Sequence, residues 1–269
     1  AASEDTRRED DLGRFGLGLK AASLSQCRIL TVASVKDKTI SAYMWDYNYI
    51  QNKKEWIVQE LTEHEINTIP YIENLKSQSG QKNGTLVVWR DFDVLSKSSD
   101  GLIYDTLRDL SASLITSIGL TFHRFISSKS KRVNFYINKH KISALDPFLE
   151  YHEKTTFKKE ISIAINDSDG IERHISVKPY ILPFITDLTE NDKKILGGVE
   201  NMRAQQGFYV YRNNRLIIRG GWFGMKPRGE LTKNARIKVD IPNTLDDIWS
   251  IDIKKQSATI PIRSLKKLT

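Results

Sequence analysis

The chain has 269 residues, of which 39% are hydrophobic, enough for one large or two ordinary domains with a substantial core. Its single cysteine, Cys27, excludes a disulfide framework within the chain and is expected of a protein of the reducing cytoplasm. There is no signal-peptide pattern and no apolar run of about 18 residues, as a membrane span would need. The formal charge of +8 is compatible with polyanion binding, although many basic proteins bind none.

The first distinctive feature in chain order is a glycine-rich stretch at positions 11–25, DLGRFGLGLKAASLS. Gly13, Gly16 and Gly18 fall within six residues, and the four residues after them favour a helix. Glycines let the backbone approach a ligand closely, and a helix that begins directly after them points free N–H groups at an anion. The stretch therefore predicts a phosphate-binding loop that leads into a helix.

A Walker A loop is one interpretation of these glycines, and it fits poorly. That loop requires GxxxxGK followed by Ser or Thr. Gly13 and Gly18 have the required spacing, but Leu19 intervenes before Lys20, and Ala21 stands where the magnesium-binding hydroxyl belongs.

A dinucleotide-binding fingerprint is the second interpretation, on Gly16, Gly18 and Ala21 with Asp37 about twenty residues further on. It needs a buried strand immediately before the glycines, whereas residues 1–11 are almost wholly polar. An ordinary glycine-rich helix start is the remaining interpretation that the residues alone leave open.

The segment 13–34, GRFGLGLKAASLSQCRILTVAS, resembles the second glycine box of the GHKL ATPases, which include gyrase, MutL, the MORC proteins and histidine kinases. In that family the glycines close a mobile lid over ATP, and the next helix holds the phosphates with its amino terminus. The resemblance assigns ATP contacts to Gly13, Arg14, Phe15, Gly16, Leu17, Gly18, Leu19 and Lys20.

The next elements are predicted strands. Residues 28–35 and 39–45 are separated by a turn at 36–38, and apolar and polar side chains alternate along 39–45. Residues 55–61 are a predicted third strand. A further strand begins at Gly84-Thr85. A threonine that opens a strand is commonly explained by β-propensity alone. In GHKL proteins a similarly placed Gly-Thr ends the nucleotide pocket, so the resemblance places the Thr85 hydroxyl near phosphate.

The longest predicted helix covers residues 102–126, where apolar side chains recur three or four positions apart and form one buried face. His123 lies within it and is expected to be a packed or surface residue rather than a catalyst. A hairpin of 132–137 and 140–142 turns at Asn138-Lys139. Asp146-Pro147 marks a turn, so we place a domain boundary just after it, with a first domain at 1–150.

In the second half, 157–165 and 171–181 form a predicted hairpin, and 188–196 is a short helix that ends at Gly197-Gly198. Residues 208–212 and 215–218 should pair around Asn213-Asn214, because asparagines tolerate the positive φ of a two-residue turn. Residues 235–241 are a further strand.

The phrases VKPYILP, QQGFYVYRNNRLI, ARIKVDIPNTLDDIW and IDIKKQSATIP look like the transducer domain of MORC-like bacterial GHKL ATPases. The resemblance implies an α+β fold in two domains. Residues 1–150 would be a partial Bergerat-fold sandwich with a mainly antiparallel sheet, and 151–269 a transducer domain. It also implies that Lys255, or as second choice Lys254, contacts the γ-phosphate. The plain alternative is two solvated lysines.

GHKL ATPases carry, upstream of the lid, a Glu that activates water, an Asn that holds magnesium and an adenine-recognising Asp-x-Gly, and nothing here matches these elements. The chain is therefore expected either to be one piece of a longer protein or to lack these residues, and the use of ATP and Mg²⁺ is expected of the intact protein. An ATP-dependent homodimer is likewise implied for the intact protein.

The resemblance favours an ATP-driven switch or clamp in a DNA-related or anti-foreign-DNA defence process. The alternative is a non-catalytic basic DNA-binding or scaffold protein, and a chaperone is a third, less favoured, function. The candidate DNA-contacting side chains are Lys129, Lys131, Arg132, Arg212, Arg215 and Arg219.

Overall fold

The computed structural model describes residues 12–13, 18–76, 83–93, 103–130 and 132–246. The chain divides into two compact units, Leu17–Leu107 and Arg108–Thr269 with Ala1–Gly16. We refer to these as the amino-terminal and the carboxy-terminal unit. The predicted α+β class with mainly antiparallel sheets is confirmed. The predicted functional boundary after residue 150 stays a prediction.

The amino-terminal unit is built on a four-stranded antiparallel sheet of order β3-β2-β1-β4. Its elements are α1 (Gly18–Leu24), β1 (Ile29–Lys36), β2 (Thr39–Asp46), α2 (Tyr47–Lys53), β3 (Gln59–Glu60), α3 (Glu63–Asn67), α4 (Glu73–Lys76) and β4 (Asn83–Arg90). β1 and β2 join through Asp37 and Lys38, both with positive φ, at the predicted turn.

One face of this sheet is closed by the segment that contains α3 and α4. Ala33 and Ala42 are small enough to let Ile66, Ile69 and Ile72 pack directly on the strands. α3 begins at Thr62, whose side chain forms a capping box with Glu65.

The predicted strand 55–61 is wrong over most of its length, because only Gln59–Glu60 pairs with β2. Asp46 ends β2 and accepts hydrogen bonds from the N–H groups of Asn48 and Tyr49, so α2 starts at once. α2 ends at Lys54, in the left-handed conformation. This local capping leaves few residues for the strand.

The carboxy-terminal unit contains a six-stranded sheet. Five of its strands follow the order β11-β10-β12-β9-β7, and the sixth, β8, also pairs with β9. β10 and β12 run parallel, whereas the other neighbouring strands of this sheet are antiparallel. The long helix α5 (Ile103–Thr121) leads into this unit. The elements after it are α6 (His123–Ser127), β5 (Tyr136–Ile137), β6 (His140–Lys141), β7 (Thr156–Phe157), β8 (Ile161–Asn166), β9 (Glu172–Ile181), α7 (Glu190–Ile195), α8 (Val199–Ala204), β10 (Gly207–Arg212), β11 (Arg215–Arg219) and β12 (Ala235–Ile241). Asn213 and Asn214 have φ of 47° and 66°, which confirms the predicted tight turn.

The interior strand β10 is buried along its whole length. Phe208 and Val210 pack in one apolar cluster, whereas Tyr209 and Tyr211 pack with Phe148 in another. The alternation along β10 therefore supplies both layers of the core.

The predicted helix 102–126 is interrupted at Phe122, where ψ is 17°. The carbonyl of Gly119 accepts a hydrogen bond from the N–H of Leu145, so it is engaged outside the helix. The predicted buried face is also wrong over its first part, because Leu107, Leu110 and Leu114 are all more than 40% exposed.

Candidate functional site

The amino-terminal sheet has a second face, opposite to α3 and α4, that stays open along part of β1, β2 and β4. Val32, Tyr43 and Val87 lie side by side on this face by their register. Tyr43 is 47% and Val87 39% exposed. An exposed apolar surface of this kind is typical of a place where a ligand or another protein element binds.

Two hydroxyl groups lie on the same open face. Thr85 and Ser34 are register partners on β4 and β1, and their side-chain oxygens are 3.0 Å apart, within hydrogen-bonding distance. Each hydroxyl has one O–H donor. When one hydroxyl donates to the other, the O–H of the accepting hydroxyl is left to donate to a ligand. An anionic oxygen such as that of a phosphate is a suitable acceptor.

Helix α1 lies on this face as well. The indole Nε1 of Trp89 donates to Ser23 Oγ of α1 at 2.9 Å. Trp89 follows Thr85 by four residues, so both side chains project from the same side of β4, about 13 Å apart along the strand. The structure thus places the helix that follows the glycines and the Thr85–Ser34 hydroxyls on one face of one sheet.

The glycines themselves are described at Gly13 and Gly18. A Cβ added to either would meet no atom within 4 Å, and neither has a positive φ. The described residues therefore give no internal reason for glycine at these positions. Leu19 and Lys20, in the first turn of α1, are exposed. The remaining predicted site residues lie outside the described residues, namely Arg14, Phe15, Gly16, Leu17, Lys254 and Lys255.

A polar groove of about 650 Å³ lies in the carboxy-terminal unit. Its buried His123 shares a 2.8 Å hydrogen bond between Nε2 and the Tyr211 hydroxyl. Burial, and then the charge of Arg124, lowers the pKa of His123 to about 3, so this imidazole is neutral. Arg124 binds both carboxylate oxygens of Asp240 and stacks on the Tyr211 ring. These side chains therefore serve as one another's hydrogen-bond and ion-pair partners, as expected of a structural network.

Glu150, at the same groove, accepts hydrogen bonds from the Tyr180 hydroxyl at 2.6 Å and from Lys238 Nζ at 3.0 Å. Burial alone would raise the pKa of Glu150, but these hydrogen bonds and the Lys238 charge outweigh it and lower the pKa. Glu150 is therefore ionised and paired. The described residues contain no group of three or more His, Cys, Asp or Glu placed to hold a metal ion.

The predicted DNA-facing arginines differ in exposure. Arg212 is only 1% exposed and forms an ion pair with Asp246, so its assignment as a DNA contact was wrong. Arg215 is half-buried beside the Phe122 ring, and Arg219 is exposed. Lys129 and Arg132 are also exposed, whereas Lys131 lies outside the described residues.

Residues 1–105 match the family model described as "Histidine kinase-, DNA gyrase B-, and HSP90-like ATPase". The match supports the GHKL superfamily for this part of the chain. It covers the glycine stretch, α1 and the whole four-stranded sheet with its open face. It therefore supports ATP binding or hydrolysis, with the Mg²⁺ that such ATPases typically use. No curated protein matches the chain. Within the described part of the chain, no helix has both the length and the apolar character needed to cross a membrane.

Sequence reasoning named Thr85 as a candidate, which stays a prediction, and it did not name Ser34 or the Ser23–Trp89 hydrogen bond. Both depend on contacts between segments more than 50 residues apart, one between paired strands and one between a helix and a strand. The alternation of TVASVK in β1 places Ser34 on one face, but only the register with β4 shows that this face is that of Thr85.

Proposed function

We propose that this chain supplies the glycine box, the nucleotide-binding sheet and the transducer part of a MORC-like GHKL ATPase, which acts as an ATP-driven switch or clamp on DNA. The observation that carries the proposal is the open sheet face. It combines α1, the Thr85–Ser34 hydroxyls and an apolar surface, and it lies within the residues that match the ATPase family model.

In this proposal the backbone N–H groups of the segment Gly13 to Lys20 bind the phosphates. The open space at Gly18 supports this role, because a side chain there would occupy the volume that a phosphate needs. Thr85 donates to a phosphate oxygen while Ser34 orients its hydroxyl. ATP supplies a phosphoanhydride whose hydrolysis drives the switch. Lys255, or alternatively Lys254, would provide a positive charge for the γ-phosphate.

The proposal extends to partners. The intact protein would bind Mg²⁺ with its ATP and form a homodimer when ATP is bound. The charge of +8 and the exposed Lys129, Arg132 and Arg219 support DNA as the polyanion that the switch acts on. They support equally the alternative of a non-catalytic DNA-binding or scaffold protein. Nucleotide binding separates the two functions.

The test is the affinity of the intact protein for ATP, measured by calorimetry with and without Mg²⁺. We expect Gly18→Val to abolish binding, because its side chain fills the phosphate position, while the fold is retained. Thr85→Val should weaken binding by about tenfold, since one hydrogen bond to a charged group is lost.

Thr39→Val is the matched control, because Thr39 is another exposed strand threonine of the same sheet. It should bind ATP as the wild type does. Unchanged ATP affinity in a folded Gly18→Val protein would contradict the assignment of the glycine box. A wild-type protein that binds DNA but no nucleotide would favour the scaffold function.

A further inference from the structure

Strand β8 lies at the edge of the six-stranded sheet in the carboxy-terminal unit. It pairs with β9 along its whole length without a register shift. In the part of the chain that the structure describes, no other strand pairs with it. Proteins usually protect an open strand edge with a lysine, a proline or a bulge. The sequence of β8, ISIAIN, has no charged residue and no proline, so this edge is open to a further strand.

The register fixes which backbone groups of β8 point away from β9. Just beyond β8, the N–H of Asp167 donates to the carbonyl of Ile171, so these two residues form a hydrogen-bonded pair. Hydrogen-bonded and non-hydrogen-bonded pairs alternate along antiparallel strands, so the odd-numbered residues of β8 bond to β9. The N–H and C=O groups of Ser162 and Ala164 therefore point to the outer edge, and both residues are exposed.

The side chains of β8 are arranged symmetrically about Ile163. Isoleucines at 161, 163 and 165 lie on one face of the strand, and a serine and an alanine at 162 and 164 lie on the other. Ile163 and Ile165 pack against the apolar cluster that contains Phe208 and Val210 of β10. Ile161 lies on the same face but is 47% exposed. The apolar face of β8 is therefore only partly covered.

We propose that β8 pairs with β8 of a second copy of this chain, antiparallel and with the symmetry axis at Ile163. In this register Ile161 of one copy lies opposite Ile165 of the other, so the exposed isoleucine is covered and the apolar cluster continues across the interface. Ser162 lies opposite Ala164 of the second copy. Each of these pairs can exchange both N–H···O bonds, because its backbone groups point outward in both copies.

The charges beside β8 favour the same register. Lys159 lies opposite Asp167 of the second copy, and no like charges lie opposite each other. An axis at residue 162 would place Ile165 opposite Lys159, and an axis at residue 164 would place Ile161 opposite Asp167. A shift by one residue would put the isoleucines of the two copies on opposite faces of the joined sheet. Only the axis at residue 163 pairs all the isoleucines with one another.

A single pair of strands buries less surface than a standard interface, so the association should be weak. It involves no nucleotide. It is therefore a different contact from the ATP-dependent homodimer proposed above.

The first measurement is sedimentation equilibrium of the intact protein without nucleotide, at protein concentrations from about 1 μM to about 1 mM. The wild type should associate within this range. Ala164→Pro should weaken the association by at least about tenfold, because each copy loses an N–H that points outward. The pairing with β9 should remain, since that N–H does not bond to β9. Ala164→Thr keeps the N–H, and as the matched control it should associate as the wild type does.

The second measurement tests the register by disulfide cross-linking. Ser162→Cys and Ala164→Cys proteins are oxidised separately and as a mixture. In the mixture the two new thiols lie directly opposite each other, whereas in either protein alone they are diagonal neighbours about 7 Å apart, too far for a disulfide. The mixture should therefore give the most cross-linked dimer. The wild type should give little, because its Cys27 is buried.

A wild type that stays monomeric over the whole range overturns the proposal, and the edge is then open to a strand of a different protein. Equal association of the wild type and Ala164→Pro also overturns it, because the contact then lies elsewhere. Preferential cross-linking of either cysteine protein with itself overturns the register. If Ala164→Pro does not fold, the cross-linking decides alone, and a mixture without the disulfide overturns the proposal. Neither measurement uses ATP, so failure of the proposed ATPase function leaves this test intact.

Discussion

The neutral, buried His123 predicts a specific dependence of stability on pH. Its side chain is enclosed by Arg124 of its own helix, Tyr211 of β10, Lys238 of β12 and Glu150, and its pKa is lowered from 6.5 to about 3. The unfolded chain therefore binds a proton between pH 6.5 and pH 3 that the folded protein excludes. Stability contributed by this group is full above pH 6.5 and is lost as the pH falls.

The magnitude follows from these two values. At pH 7 the unfolded histidine is mostly neutral, whereas at pH 5 it is almost fully protonated, and the folded histidine is neutral at both. Between pH 7 and pH 5 the free energy of unfolding should therefore fall by about 2 kcal/mol on account of His123.

The measurement is urea unfolding at pH 7 and pH 5, followed by tryptophan fluorescence. His123→Gln can keep a hydrogen bond to Tyr211 but does not titrate, so it should lack this 2 kcal/mol difference, whatever its stability at pH 7. His174→Gln is the control for the exchange of histidine for glutamine, since His174 is an exposed histidine on β9. If His123→Gln loses as much stability as the wild type between the two pH values, His123 is not the source of the effect.

Two further predictions follow from the proposed function. In the intact protein, Lys255→Ala should bind ATP within a few-fold of the wild type but lose about 10²–10³ in hydrolysis rate, because a preorganised charge at a developing oxyanion is removed. Lys254→Ala should lose markedly less, since neighbouring side chains on an extended segment point opposite ways. Wild-type rates in both variants would refute the role of this loop, and loss in Lys254→Ala alone would reverse the choice of residue. DNA binding should weaken with salt by about 0.9 log units per log unit of salt for each phosphate neutralised, as a titration at several salt concentrations would measure. A flat profile would instead favour merely solvated lysines and arginines.

The sequence by itself predicted those features that depend on neighbouring residues. Asn213-Asn214 turns the β10–β11 hairpin because asparagine tolerates positive φ, and Asn138-Lys139 does the same between β5 and β6. The alternation in 39–45 predicted β2, and the glycine stretch indicated the ATPase family that matches residues 1–105.

Only the tertiary structure decided the features that join distant segments. The break at Phe122 accompanies a bond from Leu145 to the Gly119 carbonyl, which helical periodicity does not encode. The Ser34–Thr85 pair requires the register of two strands that are 51 residues apart. Arg212 looks like a surface cation beside a turn, yet it is buried because Asp246 neutralises it and the Leu12 carbonyl lies within its reach. Local chemistry sets the turns and strand faces, whereas the pairing of distant residues decides which charges are exposed and which hydroxyls meet.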